Sequence, residues 1–266
     1  MNIRTLCLCG KLPFFRLNSW LPRCQTFRYP EVVIARIGKS PVQARVVPFA
    51  IFMLLTAAQD WFGEPGRYWV YFIKTVLIGV MLFALRPYLD EMRWKLSWEA
   101  VAVGIGVFVM WVGIDGWYPG QSALLKAVGL GGSGTPKALV PWNPHHQFGD
   151  GSFLAWFFIV MRTLGSSIVV PPLEEVFFRS FLYRFLAKPD FMSLPLGKFC
   201  LTPFLLGATI FGFEHQQWLA GILCGIAYQG LVLWKGRLGD AIMAHAITNF
   251  VLAIYVVGWG AWQFWS

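Results

Sequence analysis

Apolar residues in this chain gather into long runs at about 46–62, 68–86, 98–117, 152–170, 173–187, 199–214, 217–234 and 238–265. A helix that spans a bilayer needs roughly 20 such residues. Most of the runs are long enough, whereas 173–187 and 199–214 are short. Short, polar-bearing segments are tolerated in a membrane only where they face protein or water. The pattern predicts an all-α fold: a polytopic integral membrane helix bundle of seven or eight membrane helices.

The ambiguous stretch is 152–187, which Pro171-Pro172 interrupts. Proline lacks a backbone donor and clashes with the preceding turn, so a helix must kink or stop there. If the stretch crosses once, as a kinked or re-entrant element, the Lys and Arg residues around 86–97, 184–198 and 235–237 share one side with the basic N-terminus. The positive-inside rule favours that arrangement, with seven passes and an external C-terminus. Residues 118–151, glycine-rich in the middle and carrying His145-His146, form the longest loop and lie outside in either topology.

Composition agrees with this reading. Of 266 residues, 57% are apolar and only 13% charged, against about 25% charged in soluble domains. The length suits one membrane domain, 46–266. The net charge of +9 is concentrated at the start, where Arg4, Lys11, Arg16, Arg23, Arg28, Arg36, Lys39 and Arg45 face a single acid, Glu31. A basic flank before an apolar run marks a cytoplasmic N-terminus and favours anionic membrane lipids. No recognition motif accompanies these cations, so no nucleic-acid partner is expected. Residues 1–45 read as a basic tail: a disordered segment, a presequence, or an extension from a start codon set too far upstream. Lys11, Pro13, Arg16, Pro22 and Arg23 break any secretory-signal core. The odd set Cys7, Cys9, Cys24, Cys200 and Cys224 predicts free thiols.

Ionisable residues inside apolar runs are costly and mark functional sites. Glu174, Glu175 and Arg179 fall within six residues. On a helix of 3.6 residues per turn, neighbours point about 100° apart. Glu175 and Arg179 then sit at i and i+4, the spacing of an ion pair, while Glu174 is free to face a polar cavity as a proton acceptor. A buried Glu–Arg pair with a spare interfacial Glu fits the same spacing. His215 ends one run, and His245 shares a helix face with Asn249, flanked by the small Ala241 and Thr248. This pair could equally form a polar clamp between helices. Taken together, Glu174, His215 and His245 read as a buried site that polarises water. A divalent metal held by those three residues would do it, zinc being the ion that suits two His and a Glu. Otherwise Glu174 deprotonates water directly while His and Asn hold the oxyanion.

The three motifs Glu174-Glu175-x-x-x-Arg179, Phe211-x-x-x-His215 and His245-x-x-x-Asn249 stand in order on successive segments. In this the chain resembles the CAAX-processing and bacteriocin-processing (CPBP, or Abi) membrane endopeptidases, over about 171–250. The resemblance implies an intramembrane endopeptidase with its catalytic core at about 152–250, acting on a membrane-associated protein or peptide. By that resemblance Glu174 activates water, His215 and His245 hold a metal or polarise the water, Asn249 positions the intermediate, and Glu175 and Arg179 support the architecture. The family's usual glycine after the arginine is Ser180. The resemblance extends to the bacterial subgroup that accompanies exosortase sorting systems, and so to a bacterial inner membrane. Oligomeric state stays open.

Rival signals are weaker. Gly131-Gly132-Ser133-Gly134 matches the serine motif of rhomboid proteases, but its Gly-rich surroundings and following Thr135-Pro136 read as a flexible loop. Two other classes stay open: a catalytically silent scaffold or immunity protein, and an ion- or proton-coupled transporter in which Lys74 and Arg162 join the site residues in a relay.

Overall fold

The computed structural model describes residues 29–129 and 141–265. The chain opens with α1 (Tyr29–Lys39) and α2 (Pro41–Ala58). Ser40 starts α2: its Oγ accepts the N–H of Gln43 at 3.3 Å, and Pro41 sits at the first turn, where its missing N–H costs nothing. The helix therefore begins ahead of the apolar run at 46. Arg45, expected in the basic tail, is buried within it. The remainder of that tail through residue 28, with Cys7, Cys9 and Cys24, lies outside the described residues, as does Ser133.

A short turn leads to α3 (Gly63–Leu85), entered through Gly63 at φ 71°, a left-handed value that glycine adopts without strain. Then come α4 (Trp98–Gly113), the short α5 (Gln121–Ala127) and α6 (Pro144–Phe148) of the long loop, and α7, a helical run from Phe153 to Ala187. The chain finishes with α8 (Leu201–Phe213), α9 (Trp218–Lys235) and α10 (Gly239–Trp259). Among the described residues there are no strands, and the apolar helical segments are α2, α3, α4, α7, α8, α9 and α10.

The outer surface is apolar. Leu54, Ile73, Val80, Phe83, Val109 and Ile254 are exposed along the helices, and Trp61, Trp98, Trp117, Trp234 and Trp259 are exposed at or near helix ends. Tryptophan at the ends and aliphatic side chains between them form the belt of an integral membrane protein. Inside, helices touch through small residues. A Cβ added at Gly221 would lie 2.9 Å from the Cα of Gly212, and one at Gly225 would lie 3.0 Å from the Cα of Ala208. The two small-xxx-small patterns of α8 and α9 thus pack on each other. Gly104 lets α4 reach α10 in the same way, since a Cβ there would meet the Ala244 carbonyl at 2.6 Å.

Pro171-Pro172 does not end α7. Two π-helical segments, Gly165–Val169 and Val176–Leu182, flank it, and the N–H of Val170 bonds to the carbonyl of Gly165. The next bond in that wider register would join residue 171 to Ser166, but Pro171 has no N–H. Asn249 of α10 supplies the donor instead, its Nδ2 lying 2.8 Å from the Ser166 carbonyl. The stretch 152–187, expected to cross once as a kinked or re-entrant element, is a single helical run whose missing bond a neighbour supplies.

The other end of α7 is tied to the N-terminal helices. Arg45 pairs with Glu91 at 2.7 Å, the Ser180 hydroxyl donates to Glu91 at 2.5 Å, and Arg184 Nη2 donates to Ser180 Oγ at 2.7 Å.

Candidate active site

The second π segment begins just after the two carboxylates, and π-helical turns are frequent at functional sites because they re-aim side chains. Glu175 is fully buried and held twice: Arg179 Nε lies 3.2 Å from Oε2, and His245 Nδ1 lies 3.0 Å from Oε1. A carboxylate paired with a guanidinium can only accept, so the His245 proton sits on Nδ1 and the lone pair on Nε2. That nitrogen lies 3.9 Å from Glu174 Oε2. Glu174 Oε2 is itself buried, with no hydrogen-bond partner among the described residues. Two acceptors therefore stand close together on a cavity wall.

The cavity, about 680 Å³ in volume, is lined on this side by Glu174, Glu214, His215, His245 and Asn249. His215 follows α8, and its Nδ1 donates to the Phe211 carbonyl at 2.9 Å, which leaves Nε2 as an acceptor. Its ring meets Trp111 edge-on at 5.4 Å between centroids. Trp111 also lines the cavity, and its buried indole N–H has no acceptor among the described residues. Arg179 lies over the Phe211 ring at 4.2 Å, which helps a buried guanidinium whose Nη atoms have no hydrogen bond among the described residues. Tyr228 stacks on His245 at 5.1 Å and donates to Thr248 at 2.7 Å, fixing the imidazole plane.

The arrangement gathers Glu174, His215, His245 and Asn249 around one cavity and sets Glu175 and Arg179 behind it. Three contributors are absent from the local motifs. The His245–Glu175 bond joins residues 70 positions apart. Glu214 reads in sequence only as a neighbour of His215. Trp111 resembles any other tryptophan in an apolar run. Only the polarity of Glu214, beside a histidine at the end of an apolar run, could have marked one of them.

Neutral histidines anchored through their far nitrogen suit metal binding chemically. Among the described residues, however, no group of three or more His, Cys, Asp or Glu side chains comes close enough to hold a metal ion. Glu174, His215 and His245 share the cavity without closing into a coordination set.

The helix bundle thus brings carboxylates and imidazoles to one cavity inside its apolar belt. Residues 154–251 match the family model described as type II CAAX prenyl endopeptidase Rce1-like. The match is in keeping with the CAAX-processing resemblance of the three motifs, all of which fall inside it. No curated protein and no solved structure matches the chain.

Proposed function

We propose that this protein hydrolyses a peptide bond of a membrane-associated protein or peptide through a water activated by Glu174. The observation that carries the reading is the pair of buried acceptors, Glu174 Oε2 and His245 Nε2, 3.9 Å apart on the cavity wall. A water between them can donate one hydrogen to each. As its oxygen attacks the substrate carbonyl, Glu174 takes a proton and later returns it to the leaving amine. The Trp111 indole N–H and the second amide hydrogen of Asn249 are the donors available for the oxyanion. His215, anchored through Nδ1, offers an acceptor to the leaving amine. Glu175 holds the His245 tautomer and Arg179 holds Glu175. A cytoplasmic N-terminus, supported by the basic residues before the first apolar run, and a bacterial inner membrane, which rests on the family resemblance alone, complete the proposal.

The test is cleavage of a library of membrane-anchored peptides by purified protein in lipid. Glu174→Gln should reduce cleavage by about 10²- to 10⁴-fold, the usual contribution of a positioned acid–base group. No Glu174-dependent cleavage of any peptide would favour the silent scaffold. A divalent metal at Glu174, His215 and His245, zinc above all, would require these side chains to draw closer together than they stand here, and a chelation arm tests it. Loss of cleavage with restoration by added zinc supports it, and cleavage that survives thorough chelation removes the metal and keeps the protease.

A further inference from the structure

The wall of the cavity formed by α3 and α7 carries a second constellation, Lys74 and Arg162. Lys74 is 3% exposed, in the middle of an apolar helix. Its Nζ lies 2.7 Å from Thr56 Oγ1 and sits 4.6 Å from the Phe52 ring centre and 5.2 Å from that of Tyr71. The Arg162 guanidinium is boxed by three rings: Trp142 at 4.7 Å, Tyr71 at 5.2 Å and Trp265 at 5.4 Å. Tyr71 is thus shared by two cations from different helices. Among the described residues neither cation has a carboxylate within ion-pair distance, although Asp60, Glu64, Glu174 and Glu214 line the same cavity.

Two like charges in an apolar belt without a counter-charge are expensive, and such residues face a cavity in order to meet something. Ring contacts do not use the N–H groups of a guanidinium, whose planar fork is matched to a carboxylate. A lysine beside it adds an ammonium without a fixed geometry. We propose that Lys74 and Arg162 form an anion subsite that binds a carboxylate of the peptide substrate and so sets which bond lies over Glu174. The carboxylate is either the free C-terminus of the peptide or an acidic side chain. This inference rests on the protease reading, and it assigns that site its substrate chemistry.

The experiment reads binding, which does not depend on turnover. Glu174→Gln protein in discs of zwitterionic lipid is titrated with a fluorescent, membrane-anchored peptide in three forms: free C-terminal acid, C-terminal amide, and amide with one internal glutamate. A charge-assisted contact predicts that at least one carboxylated form binds about tenfold to a hundredfold more tightly than the plain amide. Arg162→Gln and Lys74→Met should each shrink that ratio and leave amide binding unchanged, which a purely structural role would not do. If Arg162→Gln fails to fold, Arg162→Lys and the acid-to-amide comparison on the otherwise intact cavity still decide. Equal binding of all three peptides overturns the proposal. So does selective retention of phosphatidylglycerol over phosphatidylcholine with no preference for the acid peptide, which would make this a lipid-headgroup site. Wild-type protein that binds the acid peptide but cleaves nothing would sink the protease and leave the subsite. Cleavage with no acid preference would do the reverse.

Discussion

Adjacent helical residues diverge by about 100°, and in α7 that angle sends Glu175 between Arg179 and His245 while leaving Glu174 on the cavity wall. The two carboxylates should therefore answer substitution differently. Glu175→Gln leaves the Arg179 charge buried without its partner, a loss of about 3–5 kcal/mol, and its amide no longer dictates the His245 tautomer. Glu174→Gln removes an oxygen that had no hydrogen-bond partner among the described residues, so its unfolding midpoint should stay near wild type while cleavage falls by about 10²- to 10⁴-fold. Denaturant unfolding in detergent, run beside the cleavage assay, checks the contrast; equal destabilisation by both would refute the division of labour. The i, i+4 pair was legible in the sequence because helix geometry alone dictates it. The imidazole that joins Glu175 was not, because no local spacing encodes a contact between α7 and α10.

At the scale of a helix, α7 depends on a repair from outside itself. Asn249 donates to the Ser166 carbonyl that Pro171 cannot reach, and an unsatisfied buried carbonyl costs about 1–3 kcal/mol. Asn249→Ala should destabilise by that amount and raise amide hydrogen exchange around 165–175. Adding Pro171→Ala to the same chain returns an N–H to the helix and should recover part of the loss. If the double variant is no more stable than Asn249→Ala, the repair does not run through Ser166. Hydrophobic periodicity could flag Pro171-Pro172 as a place where a helix should fail. It could not announce that a neighbouring side chain would keep the helix whole.

Across the molecule, the positions of the apolar helices were legible because lipid selects long apolar runs whatever their partners. Their polar ties were not. Arg45, Glu91 and the Ser180–Arg184 turn lie far apart in sequence, and only folding brings them together. Glu91→Gln would leave two buried guanidinium groups facing each other and should cost about 3–5 kcal/mol. Ser180→Ala, which removes the hydroxyl and keeps the helix, should cost about 1 kcal/mol. Thermal unfolding in detergent would rank them, and a reversed order would show that Ser180, not charge balance, holds the cluster.

The same cluster bears on what kind of unit the matched segment is. Residues 154–251 contain Ser180 and Arg184 but neither Glu91 nor Arg45, and Gly104, which seats α10, also lies outside them. The matched stretch is therefore smaller than the set of residues that packs together. Moved alone into another chain, it would arrive with a stranded arginine and a helix face cut to fit an absent neighbour. The residues that hold the matched segment in place are thus supplied by the chain around it.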